Sequence, residues 1–491
     1  MKKEIGQMKF IATEEKARWM PREAQEGMPE ACDLELTGEK GQTIRGFGGC
    51  FNELGQIALE KLDEGKRNEV LDALFGSEGC GFTVCRVPIG ASDYAAKWYS
   101  CDETEEDYEL RDFSIERDKK YLLPYIHDAQ KRRPELTVFA SPWSPPTWMK
   151  FPAAYNHGTI RWEEPVLRAY AKYFVKFVEA YAEEGVTVDQ IFMQNEPIAD
   201  QKYPSCVWSG EQMRDFLRDY LAPEFEKSGC PAEIWLGTLN CPYDNYGGQE
   251  FDWTNYHRYA ETVLLDDAAR KVISGVGYQW GGKNAIAQTH ESFPELRLMQ
   301  TENECGNGEN SWKYMEYVFD LMHHYFKNGV EAYTYWNMVL EDGGCSTWGW
   351  HQNSMITVNA AEGTYALEPE YYLMRHFAGF VQRGARLLKL RGRFAANAMA
   401  FENPDGSVVL VVHNGQNDPF TLRCGLGEGV SSDQEEFKQF LWEHTKTAAP
   451  QDVETLLTLV QTAQFAPGPV SAQTAQQVRG LCRILRKNLH R

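Results

Sequence analysis

Between residues 44 and 380 the chain repeats one pattern: a short apolar run, then a longer segment whose apolar residues recur every three and four positions. A strand buried on both faces reads as a continuous apolar run, and a crossover helix buries one stripe, so this alternation predicts βα units around a parallel sheet. Eight runs are found, over residues 43–50, 81–89, 136–143, 189–196, 233–240, 273–280, 296–302 and 332–338, with helical patterns such as 164–184 between them. Eight units predict an α/β fold in which residues 43–380 form a (β/α)8 TIM barrel, with any active site at the carboxyl ends of the strands. At 491 residues there is room for a second module. Residues 1–42 and 381–426 alternate apolar and polar positions, with Asn403-Pro404-Asp405-Gly406 as a hairpin turn, and are expected to pair as the two parts of an attached β-sandwich. Residues 427–491 turn to Gln, Ala, Thr and Leu and end with Arg479, Arg483, Arg486, Lys487 and Arg491, an atypical tail read as helical or disordered.

Charge and composition exclude several functions. The net charge is 50 minus 71, or −21, which repels phosphate backbones and anionic lipid, so neither nucleic acid nor membrane is an expected partner. The basic start, Met1-Lys2-Lys3, is followed by no apolar leader, and a soluble, cytoplasmic protein is expected. Twelve cysteines show no paired spacing of a zinc site, and Cys50, Cys85, Cys241 and Cys305 lie in apolar runs, so reduced buried thiols are expected. His323-His324 reads as helix surface rather than metal ligand, and no cofactor or metal is expected. The sequence carries no signal of oligomeric state.

Two of the runs end in acidic segments, Gln194-Asn195-Glu196-Pro197 and Gln300-Thr301-Glu302-Asn303-Glu304. Two carboxyls at neighbouring strand ends suit glycoside cleavage with retention, in which one carboxyl donates a proton to the leaving oxygen and the other attacks the anomeric carbon from about 5–5.5 Å away. Glu304 rivals Glu302 as the attacking group, because a continued strand would turn both to one face. The Gly46-Phe47-Gly48-Gly49-Cys50-Phe51-Asn52-Glu53 run lacks the Lys-Ser/Thr and the glycine spacing of nucleotide loops. It reads as the first barrel strand, with Glu53 a lesser candidate contact.

Seven motifs in order resemble glycoside hydrolase family 30, the glucosylceramidase-like group of the large clan of retaining barrel glycosidases. They are Gly46-Phe47-Gly48-Gly49, Arg86-Val87-Pro88, residues 140–148, Asn195-Glu196-Pro197, Thr301-Glu302, Trp336-Asn337 and residues 352–356. The resemblance implies that Glu196 is the acid/base and Glu302 the nucleophile, with Arg86 bonding the nucleophile and Asn195 holding the sugar 2-hydroxyl. It also implies that Asp93 binds further hydroxyls and that Trp143 and Trp336 line the same subsite. Tyr203, Trp208, Trp348 and Trp350, on loops after strands four and eight, are candidates for a leaving-group platform. Where glucosylceramidases often carry His-Trp-Tyr, this chain has Gln279-Trp280-Gly281, which alters the pocket wall and puts lipid glycosides in doubt. The expected activity is hydrolysis of short β-linked glucosides, a small oligosaccharide or β-glycoside, by double displacement through a covalent intermediate on Glu302. A β-1,6-glucanase, a β-xylosidase, a β-fucosidase and a catalytically decayed carbohydrate-binding protein remain open alternatives.

Overall fold

Each of the eight apolar runs contains a strand: β1 (Gly46–Cys50), β2 (Val84–Ile89), β3 (Thr137–Pro142), β4 (Gln190–Phe192), β5 (Glu233–Leu239), β6 (Gly275–Gln279), β7 (Arg297–Glu302) and β8 (Val330–Asn337). They pair parallel with their sequence neighbours, and β8 closes on β1, in a computed structural model that describes residues 9–24, 32–240, 256–416, 418, 419 and 421–426. The tail 427–491 and Cys241 lie outside the described residues. The glycines of β1 have a steric cause. A Cβ on Gly48 would stand 1.7 Å from the Val84 carbonyl oxygen, so only glycine lets β1 approach β2 so closely.

The barrel interior is filled in layers. Val84, Phe139, Phe192, Trp235, Met299 and Ala332, from six strands, form a dry floor in which the Phe192 ring lies 5.3 Å from Phe139 and 5.4 Å from Trp235. Fully burying one such side chain contributes about 1.5–3 kcal/mol, which makes the floor a rigid base for what stands above it. Below it the half-buried Arg297 bonds Glu331 at 2.7 Å and Glu233 at 2.8 Å and lies over the Trp235 ring, so the charges at this end of the barrel are paired. Above it Cys50, Tyr94, Trp143, Trp336 and Leu340 form a separate cluster at the carboxyl ends of the strands. Outside, the long helix Glu164–Glu183 buries Tyr170, Phe174, Phe177 and Tyr181 along one stripe, as its spacing predicts.

Both flanks of the barrel meet in a five-stranded sheet, in the order Val408–Val412, Ala398–Glu402, Arg386–Arg391, Leu34–Thr43 and Cys424–Leu426. Of the leading segment, Leu34–Thr43 enters this sheet. Strands Phe10–Glu14 and Ala17–Arg22 instead form a hairpin of their own, whose Trp19 ring lies under the Arg375 guanidinium at 3.9 Å and 4.8 Å from His376. After β8 the chain also makes a small sheet of Val339–Glu341, Ile356–Asn359 and Thr364–Leu367, which periodicity did not reveal because the strands are three or four residues long. The ten described cysteines are free, and no described helix is long and apolar enough to cross a membrane.

Candidate active site

Parallel register brings the functional side chains together. Cys50 pairs with Arg86, Gln279 with Glu302 and Asn337 with Cys50, so the ends of β1, β2, β6, β7 and β8 lie level at one face. Arg86 is fully buried at the centre. Its Nη1 donates to Glu302 Oε2, and Nη2 donates to Ser141 Oγ at 2.7 Å and to Asn195 Oδ1 at 2.6 Å. Trp143 and Trp336 cover the guanidinium, with ring centres 4.4 and 5.6 Å from Cζ. The indoles thus shield the charge from water as well as bordering the pocket.

Gln279 Nε2 reaches three acceptors: Glu302 Oε2 at 2.9 Å, Asn195 Oδ1 at 2.7 Å and Thr238 Oγ1 at 3.0 Å. The amide that departs from the glucosylceramidase pattern is therefore bonded directly to the candidate nucleophile. Arg86 and Gln279 both donate to the same Glu302 oxygen, which favours the ionised form and leaves Oε1 as the attacking atom. Burial pushes the Glu302 carboxyl up, Arg86 opposes it, and the Glu196 and Asp93 carboxyls add to the rise. With one buried guanidinium beside three carboxyls, the site favours one carboxylate next to Arg86 and a retained proton among the others.

Glu196 stands just beyond β4 with φ at +47°. A left-handed backbone costs a residue with a side chain about 1–2 kcal/mol, and here two bonds hold it: Asn195 N to Pro142 O at 2.7 Å and Glu196 N to Thr238 O at 3.1 Å. In a regular strand Asn195 and Glu196 would face opposite sides. The left-handed step lets Asn195 reach Arg86 and Glu196 reach the same pocket, where the Tyr203 hydroxyl donates to Glu196 Oε2 at 2.9 Å. Asp93 is buried nearby, and burial followed by the Glu196 charge pushes it up to about 7. Among the described residues, Asp93 Oδ1 and Trp336 Nε1 have no hydrogen-bond partner, an acceptor and a donor at the edge of this site.

Several expected contacts fall elsewhere. Trp208 is fully buried against Tyr170 and Phe216, with its Nε1 donating to Gln194 Oε1 at 3.2 Å, so it belongs to the core rather than to a leaving-group platform. Trp280 is half-buried and packs on the main core, not on the Trp143–Trp336 cluster. Glu53 begins a helix and pairs with Arg117 at 2.7 Å, and Glu304 lies toward Tyr314 and Tyr317, whose hydroxyls are pushed up by burial and then by its charge, rather than beside Arg86. Tyr203 does reach the site, its ring 5.1 Å from Trp348, which lies 5.2 Å from the exposed Trp350. Ser141 and Thr238 were missed as Arg86 partners, although each stands near a barrel strand's carboxyl end, the position that marked the others. His323 is half-buried and lowered by burial, and among the described residues no group of three or more His, Cys, Asp or Glu side chains could hold a metal ion.

A closed parallel barrel carrying buried carboxyls at the ends of its fourth and seventh strands, beside a buried arginine, defines a glycoside hydrolase. The chain belongs to glycosyl hydrolase family 30. The model of that family's TIM-barrel domain matches residues 44–381, and the model of its beta sandwich domain matches residues 395–434. The chain is 28% identical to the lysosomal acid glucosylceramidase of Mus musculus over 418 residues, covering 78% of this chain and 77% of that protein. It is 26% identical to the endo-1,6-beta-D-glucanase of Neurospora crassa over 411 residues, covering 79% and 82%. A solved endo-beta1,6-glucanase superposes with a TM-score of 0.73 at 26% identity, over 84% of this chain and 92% of that one.

Proposed function

We propose that this protein is a retaining β-glucosidase of short β-linked glucosides, with Glu302 as nucleophile and Glu196 as acid/base. The observation that carries the reading is the convergence of Arg86 and Gln279 on one oxygen of Glu302. Such a carboxylate is oriented to attack through its other oxygen, while Glu196 protonates the departing oxygen. Once Glu302 is esterified its charge is gone, and Glu196 then takes a proton from the incoming water. In this reading Asn195 holds the 2-hydroxyl, and the unpartnered Asp93 Oδ1 and Trp336 Nε1 serve as acceptor and donor for further hydroxyls. Glucose is favoured because the relatives named for glucosylceramide and for β-1,6-glucan share a glucosyl unit at the bond their names describe. The buried free thiols of Cys50, Cys80, Cys85, Cys101 and Cys206 fit a reducing compartment such as the cytoplasm.

A 2-deoxy-2-fluoroglucosyl fluoride should trap a covalent adduct, and peptide mass analysis should place it on Glu302. Glu196→Ala should retain turnover of activated aryl glucosides while losing that of alkyl glucosides. A label on another residue, or no label from a protein that binds glucosides, would sink the assignment. A second reading, cleavage of β-1,6-linked glucan, is favoured by the superposition on an endo-beta1,6-glucanase. A panel of nitrophenyl β-glycosides, gentiobiose and β-1,6-glucan separates the two.

A further inference from the structure

A line of side-chain amides crosses the top of the barrel and ends on Asp93. Gly55 N donates to Asn52 Oδ1 at 2.6 Å, and Asn52 Nδ2 donates to Asn337 Oδ1 at 3.0 Å. Asn337 Nδ2 then donates to Gln352 Oε1 at 2.8 Å, and Gln352 Nε2 to Asp93 Oδ2 at 3.3 Å. All four side chains are buried, on four different stretches of chain.

An amide can be turned end for end, so the direction of such a line must come from groups that cannot. Two are present. The Gly55 N–H, in the first turn of helix Glu53–Leu59, can only donate, so Asn52 presents its oxygen there and its nitrogen to Asn337. The Asn353 carbonyl, 3.4 Å from Asn337 Nδ2, can only accept. Both require the same direction, and its consequence is that a donor, never an acceptor, arrives at Asp93.

We infer that Asn52, Asn337 and Gln352 are positioning residues that hold Asp93 by its Oδ2 oxygen and present Oδ1 to a hydroxyl of the bound sugar. The inference rests on the glycosidase reading of the pocket. Asp93 Oδ1 has no hydrogen-bond partner among the described residues, as a carboxylate kept for a ligand requires. Burial and the Glu196 charge work against ionisation of Asp93, and the Gln352 amide and the Arg86 guanidinium work for it. The other titratable groups that face it are Glu302, Cys50, Cys305, Tyr94 and Tyr203. Gln352 stabilises the carboxylate without adding a second cation that would compete with Arg86 for Glu302.

The test is a double-mutant cycle of Gln352→Met and Asp93→Asn, read in two ways. Infrared difference titration, with Asp93→Asn as the reference that lacks the band, follows the Asp93 carboxylate directly. Steady-state kinetics on nitrophenyl β-glucoside gives kcat and KM. Gln352→Met should raise the Asp93 midpoint and lower kcat/KM about tenfold, chiefly through KM, the loss of one hydrogen bond to a charged group. In the Asp93→Asn background the same change should cost nothing further. Gln352→Glu, of the same size, should raise the midpoint more, and serves if the Met variant does not fold. An unmoved midpoint, or an equal kinetic loss in both backgrounds, overturns the relay. Failure of the wild-type chain to hydrolyse any β-glucoside would count against the glycosidase reading alone, because the infrared midpoint decides the relay without turnover.

Discussion

Replacing Arg86 with methionine keeps the length of the stem between Trp143 and Trp336 but removes the buried cation that faces Glu302. The guanidinium is wholly buried and contacts Glu302, Ser141 and Asn195, so its removal leaves these groups without their cationic partner inside the protein. Removing one partner of a buried ion pair costs roughly 3–5 kcal/mol, because the remaining charge is left uncompensated. At about 1.4 kcal/mol per tenfold, kcat/KM should fall by about 10²- to 10⁴-fold if that interaction is held through the transition state. The sign with pH follows from the same geometry. Burial already raises Glu302 and Arg86 holds it down, so its removal raises the carboxyl further. The ionised nucleophile then forms only at higher pH, and the acid limb of kcat/KM should move upward. The assay is nitrophenyl β-glucoside hydrolysis from about pH 5 to about pH 9, beside thermal unfolding and an Arg86→Lys control that keeps the charge. A methionine variant that folds and keeps kcat/KM within about threefold of wild type, or whose acid limb stays in place, refutes the role given to Arg86.

Tyr203→Phe removes one hydroxyl, 2.9 Å from Glu196 Oε2, and leaves the ring to pack on Trp348. A hydrogen bond to a charged group contributes about 1.5–3 kcal/mol, so kcat/KM should drop roughly ten- to a hundredfold; full activity in Tyr203→Phe with loss in Tyr203→Ala would assign the residue to packing. His376 is half-buried between Trp19 and the Thr13 hydroxyl, and loss of water around the ring holds it down to about 4. A folded-state value below the unfolded one means that the unfolded chain binds the extra proton, so this contribution is whole above about pH 6.5 and is lost as pH falls toward 4, up to about 3 kcal/mol. Urea unfolding of wild type and His376→Gln at pH 7 and pH 4.5 should show the difference between them shrinking at the lower pH, and an unchanged difference would refute the assignment.

Much of this site could be read from the chain. Seven of the eight strands fall within their apolar runs and the eighth begins two residues before its run, at Val330, while Glu302 ends the seventh strand and Glu196 stands just beyond the fourth, because strand positions follow from local periodicity. Aromatic positions were less legible. Trp208 and Tyr203 lie on the same loop and both pair an aromatic ring with a polar donor, yet one is swallowed by Tyr170 and Phe216 and the other meets Glu196. Their difference arises from helix Gly210–Phe216 packing on helix Glu164–Glu183, a contact between stretches that periodicity treats separately. The hairpin of Phe10–Glu14 and Ala17–Arg22 shows the same limit, since alternation marks a strand but does not name the surface it covers.

The order of the elements, the carboxyl-end location of the site and the two acidic segments are properties of short stretches, and the chain specifies them residue by residue. Partners and proton affinities are not. Arg86 and Glu302 are 216 positions apart, and Asp93 takes its donor from Gln352, 259 positions away. Which of the 71 acidic side chains lose their water, and which donor then faces each one, is set only when the barrel closes and level strand ends exclude solvent around a single guanidinium.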